Sequence, residues 1–343
     1  MTTETLRTDK PREILALVNY QLGFCPTESL VIVSLRGPRS RAGLIARIDL
    51  AAAETAAGSL ARHLAADKAS SAAILVYTSD ADLAHDGALF VADAIHRTGI
   101  TTIGTWWVTD TDYRRIEPVS PRKCPEVGQP LNLDTTVIAA AMTRNGATVR
   151  PTRAALGVTP ANEEDRDEAT TAQTGWHQAM TTDTQPRQTA RDMWQDTLSG
   201  TACTPTRAGR LAAALTDVVV RDAVLCSLIP GGAQIVDSIL TDDADDTAVS
   251  DALSRVLDPT IGVRPNPATT EPARDLLAFI AAHTDSPAAL TLLAFIAWWN
   301  GDGATANVHI DAAQAEDPDY RLAGLLRSAL DVGLPPGWAR ATR

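Results

Sequence analysis

Pro26-Thr27-Glu28-Ser29 stands directly ahead of a β-branched apolar run, and Arg47 and Asp49 stand on the apolar run that follows. Carboxylates, a hydroxyl and a guanidinium gathered in so short a span suit a ligand site or hydrolytic chemistry. Ser29 opens the first expected strand and Asp49 closes its antiparallel neighbour. Those two ends meet on one edge of the sheet, where the carboxylates of Glu28 and Asp49 can face each other. The same residues also suit a structural part: Ser29 and Glu28 hold the turn, and Arg47 pairs with Asp49 or Glu28. Trp106 and Trp107 lie on a later strand and point to opposite faces, because strand side chains alternate. One is core and the other covers a pocket or docking surface. Trp107 joins Glu28, Ser29, Arg47 and Asp49 as a candidate ligand-binding residue.

Other motifs dissolve on inspection. Gly301-Asp302-Gly303-Ala304-Thr305-Ala306 has dinucleotide-fingerprint spacing but follows a helix ending in Trp298-Trp299-Asn300 rather than a strand. A helix–helix turn with a C-cap glycine explains it. Walker, GxSxG and HExxH sequences are absent, and no two of the six histidines stand four apart. Asp242-Asp243-Ala244-Asp245-Asp246 lacks the glycine and distal glutamate of a calcium loop and reads as a solvated linker. The four cysteines, Cys25, Cys124, Cys203 and Cys226, are scattered without a CxxC pair. Reduced thiols are expected, with no metal and no cofactor.

The elements that would carry the candidate site alternate in type. Pro11 to Leu22 has a helical apolar stripe, opened by proline and ended by Gly23. Strands are expected at Leu30 to Leu35 and Ala42 to Leu50, then at Ala72 to Tyr77 and Thr101 to Val108, with a weaker one near Tyr113 to Val119. Helices fall at Ala53 to Ala66, Ala81 to Arg97 and Thr135 to Arg144. Leu83, Phe90, Val91, Ala94 and Ile95 give the second of these its apolar face. The pattern implies an α/β domain with a mixed sheet and flanking helices over residues 1–158.

Between Thr159 and Thr174 apolar periodicity lapses around the charge run Glu163 to Glu168, which places a domain boundary there. An all-α domain follows over residues 159–343, with helices expected at Pro186 to Leu198, Thr206 to Ile229, Ala233 to Leu240, Ala248 to Leu257, Glu271 to His283, Pro287 to Asn300, Ala304 to Ala315 and Tyr320 to Leu330. Arg264 to Pro272 reads as a connector. Leu290, Leu293, Ala294, Ala297, Ala306, Ile310 and Ala313, with Pro318 as breaker, fit one tetratricopeptide-like unit of about 34 residues. Helix pairs of that partly tetratricopeptide-like kind are expected near 271–332, either as a concave groove for a peptide or as an ordinary antiparallel pair completing a bundle.

Bulk properties narrow the partners. A chain of 343 residues with 45% apolar composition buries one large core or two modest ones. A net charge of -12 argues against nucleic acid and anionic membranes as partners, since both reward cationic surfaces. The start MTTETLRTDK has no apolar signal region, and the apolar run Ala288 to Trp299 is too short for a bilayer, which needs about 20 residues. A cytoplasmic protein is expected. Only Lys10, Lys68 and Lys123 are lysines among thirty basic residues, which reads as a GC-rich coding bias.

LGFCPTESLVIVSLRG (Leu22 to Gly37), followed by ARIDL, resembles the actinobacterial family called domain of unknown function 4192, whose pattern runs LGF-x-P-x-x-S-L-V and then R-x-D-L. The stretch from Trp298 through Asp317-Pro318-Asp319-Tyr320-Arg321-Leu322-Ala323 to Gly333-Leu334-Pro335-Pro336 is similar to the same family's ending. Lys123 to Pro130 resembles its cysteine-bearing CP-x-x-G-x-P stretch. Members carry another cysteine upstream, where this chain has Pro118, so the resemblance leaves Cys124 without a partner. The family implies no activity, cofactor or catalytic residue.

Two functions from different classes stay open. One is a cytoplasmic, non-catalytic protein-interaction or regulatory module that holds a protein partner through its C-terminal helices. The alternative is a small-molecule-binding or hydrolytic α/β enzyme with its site at the N-terminal sheet edge.

Overall fold

The computed structural model describes residues 10–38, 40–117, 125, 127–181, 185–241 and 246–341. Cys124, Pro118, Val119 and Asp242 to Asp245 lie outside the described residues. The chain divides into two compact units, Met1–Arg153 and Ala154–Arg343.

In the first unit, helix α1 (Pro11–Leu22) starts on proline and ends where Gly23 takes φ 75°, a left-handed turn that glycine adopts without strain. Strands β1 (Ser29–Arg36) and β2 (Arg41–Asp49) follow, then helix α2 (Ala53–Ala66), strand β3 (Ser71–Tyr77), helix α3 (Ala81–His96), and strands β4 (Thr101–Val108), β5 (Asp112–Ile116) and β6 (Gln129–Pro130). Helix α4 (Val137–Arg144) closes the α/β part. The sheet order is β2-β1-β3-β4-β5-β6, with β3 and β4 parallel and every other pair antiparallel. This is the expected mixed sheet with flanking helices.

Helices α2 and α3 cover the face that carries Leu30, Ile32, Ile74 and Val76. The opposite face meets α1 and α4, where Ala16, Leu17 and Ile138 pack with Ile45 of β2. The Glu13 carboxylate caps α4 by accepting the N–H groups of Val137 (3.1 Å) and Ile138 (3.0 Å). A charged acceptor there satisfies two orphan donors and suits the helix dipole.

One helix face is displaced from its expected position. Ala84, Gly87, Ala88, Val91, Ala94 and Ile95 form the buried stripe of α3, while Leu83 and Phe90 are 49% and 39% exposed. The stripe selects small residues because α3 approaches its neighbours closely. A Cβ on Gly87 would lie 2.7 Å from Leu50 Cδ1.

The far end of the sheet is locked by a buried ion pair. Asp67, just past α2, takes Arg36 Nε at 2.8 Å and Arg36 Nη2 at 2.5 Å, and also the Leu44 N–H at 3.0 Å. Burial pushes the Asp67 carboxyl upward, but the Arg36, Ser34 and Leu44 donors outweigh it and hold the group below its ordinary value. Gly43 leaves room for this pair, since a Cβ there would lie 2.4 Å from both Arg36 Nε and Asp67 Oδ2.

The second unit is helical. Helix α5 (Glu163–Met180) begins within the stretch from Thr159 to Thr174 where apolar periodicity lapses. Asn162 caps it by accepting the Asp165 N–H at 3.0 Å, and Glu163, Glu164 and Asp165 sit favourably in its first turn. Only Ala169 is fully buried on it, so it shows little apolar periodicity. Helix α6 (Pro186–Leu198) follows. The single helix expected at Thr206 to Ile229 is two, α7 (Pro205–Ala214) and α8 (Val218–Leu228), because Asp217 restarts the helix by accepting the Val219 N–H at 2.9 Å.

Helices α9 (Val236–Leu240), α10 (Asp246–Leu257), α11 (Pro267–His283), α12 (Pro287–Trp299), α13 (Gly303–Glu316), α14 (Arg321–Asp331) and α15 (Gly337–Ala341) complete the chain. Helix α11 begins inside the expected proline-rich connector, because Pro267 sits in its first turn, where a missing N–H costs nothing. Helices α12 and α13 form the expected pair, with Leu290, Leu293, Ala294, Ala306, Ile310 and Ala313 buried. Their turn holds Gly301 at φ 86°, and Asp302 caps α13 through the Thr305 N–H at 2.9 Å. Helix α12 is buried on nearly every side, which makes it the centre of the helical core.

Candidate functional site

The five sequence-derived candidates gather at one end of the sheet, where β2, β3 and β4 finish and β1 begins. Ser29 and Asp49 are register partners across β1 and β2, and Ser29 also faces Tyr77 across β1 and β3. The Ser29 side chain is fully buried. Its hydroxyl donates to the Thr27 carbonyl at 2.6 Å and accepts from Arg47 Nε at 2.9 Å. Arg47 Nη2 reaches Asp49 Oδ1 at 2.7 Å.

Glu28 turns the other way. Its Oε2 accepts the Thr78 hydroxyl at 3.0 Å, while its carbonyl accepts the Leu50 N–H at 2.9 Å. The backbone reaches both partners because Glu28 holds φ 41°, a left-handed conformation that costs a non-glycine residue about 1 kcal/mol. Strand β1 therefore lies between Thr78, the side-chain partner of Glu28, and Arg47, the partner of Asp49, and the two carboxylates serve opposite flanks. Trp107 joins through Thr78, whose carbonyl accepts its indole N–H at 2.8 Å. The Arg114 guanidinium stacks 4.6 Å above the Trp107 ring and bonds Asp112 at 2.9 Å. Trp106 is the buried member of the pair and lies on the opposite face. It crosses Gly104, where a Cβ would sit 2.5 Å from its ring.

This arrangement ties groups together and leaves little to react. A serine nucleophile needs a base to take its proton, and the Ser29 proton is committed to a carbonyl. The Cys25 thiol is pushed up by burial, with Asn19 Nδ2 3.6 Å from its sulfur, so it stays protonated at neutral pH. Tyr77 is pushed far up by burial and, to a lesser degree, by Cys25. Its hydroxyl has no partner among the described residues.

A second candidate lies in the helical unit and was missed from sequence. Helices α5, α6 and α7 enclose an open-sided groove of two adjoining hollows, about 420 and 640 Å³. Trp176, Met193 and the aliphatic parts of α5 supply its apolar wall, and Arg207 and Arg210 stand on α7, three residues apart. Glu168 is occupied at the start of α7, accepting the Thr206 N–H at 3.2 Å. Asp192 is held by Arg191 at 2.8 Å. Arg207 makes a long contact to Asp196 at 3.8 Å and one to the Met193 carbonyl at 3.4 Å, and among the described residues its buried Nε has no hydrogen-bond partner. Arg210 has no hydrogen bond or ion pair among the described residues. The usable signal was Ala169, Ala172, Trp176 and Met180, a helical stripe submerged in a charged, threonine-rich stretch.

Among the described residues no group of three or more His, Cys, Asp or Glu side chains could hold a metal, and no helix is long and apolar enough to cross a membrane. No curated protein and no solved structure matches the chain. Residues 11–337 match the family described as a domain of unknown function, number 4192, and the chain belongs to that family.

Proposed function

We propose that this chain is a cytoplasmic, non-catalytic interaction module of an actinobacterial host, and that its helical unit holds a protein partner in the groove between α5, α6 and α7. The observation that carries the reading is a contrast in satisfaction. At the sheet end the hydroxyl, guanidinium and carboxylates spend hydrogen bonds on one another and on Thr27 and Thr78. In the groove Arg210, with no hydrogen bond or ion pair among the described residues, stands beside a half-buried indole, the pairing of residue types that anchors protein interfaces. A reducing compartment is supported by Cys25, Cys203 and Cys226, all free thiols, with burial pushing the latter two up to about 11.

The test is affinity capture from the native host with the full chain and with Thr171→Trp, a bulky side chain placed in the exposed wall of the groove. A stoichiometric partner that the full chain retains and Thr171→Trp loses is expected, with Glu28→Gln and Asp49→Asn retaining it. A partner kept by Thr171→Trp and lost by the sheet-end variants would contradict the reading.

A further inference from the structure

We infer that the surface around Trp298 and Trp299 is a receptor for a proline-bearing segment with a tryptophan anchor, and that residues 334–340 occupy it as an intramolecular ligand. None of the residues that form this surface lines the groove between α5, α6 and α7.

The segment cannot order itself. Leu334-Pro335-Pro336 has no regular structure, and its two prolines carry no N–H to give to a ladder or a helix. Helix α15 has five residues, whereas isolated helices shorter than about 12 residues are marginal in water. Its order therefore comes from what it lies on.

The surface answers each feature of the segment. Trp298 Nε1 donates at 2.8 Å to the Leu334 carbonyl, directly ahead of the proline pair. Aromatic surfaces read proline-rich segments because such chains keep their carbonyls outside internal hydrogen bonds. Pro336 and Gly337 are buried. A Cβ on Gly337 would lie 2.4 Å from the Asp258 carbonyl oxygen, and one on Gly262 would lie 2.5 Å from the Trp338 nitrogen. Glycine thus lets the two backbones touch. The Trp338 ring packs on the helical core and donates its indole N–H to the Trp299 carbonyl at 2.8 Å. The Arg264 guanidinium lies 4.2 Å from the centre of that ring, and Arg340 bonds the Leu257 carbonyl.

These bonds are each made by a side chain, so the segment can lift without breaking a helix of the body. Elements held in this way open at lower free energy than the core beneath them. While docked, the segment competes at an effective concentration of about millimolar, which keeps weaker external segments out. The occupant we assign is a partner's segment with the same proline pair, glycine and tryptophan.

The experiment is fluorescence polarisation with the labelled peptide Gly-Leu-Pro-Pro-Gly-Trp-Ala-Arg on the full chain and on its Gly337→Ala variant. The added methyl meets the Asp258 carbonyl only in the docked segment, so the variant frees the surface and leaves its residues unchanged. Gly337→Ala is expected to bind the peptide roughly tenfold more tightly than the parent, or better, because the competitor is released. A peptide with Ala for its second Gly, or Ser-Ser for its proline pair, should lose that binding. Adding Trp298→Phe to Gly337→Ala should weaken it.

Equal binding or none by both chains, or indifference to the peptide's second glycine, would overturn the proposal. Should Gly337→Ala fail to fold, amide exchange of the parent chain decides. The Ala339 and Arg340 amides, which bond the Pro336 carbonyl, should exchange well ahead of those of α12 and faster still in excess peptide. Exchange only in step with α12, or rates unmoved by the peptide, would overturn the proposal.

Discussion

Arg47 Nε donates to Ser29 Oγ across 2.9 Å, joining two residues eighteen apart in sequence. That bond connects the two runs that carry the resemblance to the family, since Ser29 belongs to the first and Arg47-Ile48-Asp49-Leu50 is the second. The Leu50 N–H closes the same junction on the Glu28 carbonyl at 2.9 Å. These two runs thus form a structural joint between β1 and β2.

If the junction is structural, Ser29→Ala should cost about 1–2 kcal/mol, because it removes the acceptor of Arg47 Nε and the hydrogen bond to the Thr27 carbonyl. Denaturant melts of the variant measure this. Partner capture should be unchanged, whereas a ligand site at Ser29 would show a binding loss larger than the stability loss.

Asp67→Asn should lower stability by about 2–3 kcal/mol at neutral pH, since Arg36 and Leu44 lose a charged acceptor. The pH signature has a definite sign. The folded carboxyl sits below its ordinary value, so its contribution is present above about pH 4 and is lost as pH falls through the depressed folded value. Subtracting the variant's stability curve from the parent's should give a difference that shrinks below about pH 4.

His309 titrates in a separate window. Burial on α13 lowers it to about 4, so the folded chain holds it neutral while the unfolded chain protonates it near its ordinary value of about 6.5. Its folded pKa is the lower one. Stability is therefore full above about pH 6.5 and falls as acid is added towards pH 4, by roughly 3 kcal/mol in all. His309→Leu should flatten that slope and leave the region below it intact, as followed by thermal melts across pH.

At the chain's end, Trp299 Nε1 donates to the Val263 carbonyl at 3.0 Å, and its own carbonyl accepts from Trp338 at 2.8 Å. Trp298 Nε1 likewise holds the Leu334 carbonyl at 2.8 Å, so the two parts of the family's ending are also stitched together. Trp299→Phe keeps most of the volume and removes one donor to a buried carbonyl. A loss of about 1–2 kcal/mol is expected in urea melts.

The α/β architecture was legible because its strands and helices carry strong periodicity and sharp stops, such as Pro11, Gly23 and Gly37-Pro38. The ion pair of Arg36 and Asp67 was not, because the residues are 31 apart and only folding brings them to one corner. Leu83 and Phe90 misled because helix periodicity marks apolar residues, whereas close packing on α3 favours Gly87 and Ala88. The groove escaped for a related reason. Helix α5 packs through Ala169 against Gly209, where a Cβ would lie 1.9 Å from the Ala169 carbonyl oxygen. Such a contact leaves almost no apolar trace. The cluster of Glu28, Ser29, Arg47 and Asp49 was found by residue type, but its bonding pattern depends on β1 lying between β2 and β3.

The most direct measurement is amide hydrogen exchange of the full chain with and without the partner that it captures. Slowed exchange is expected across Glu163–Met180, Pro186–Leu198 and Pro205–Ala214, with β1, β2 and the start of α3 unchanged. Slowing confined to the sheet end around Ser29, Asp49 and Thr78, with α5, α6 and α7 unaffected, would contradict the assignment.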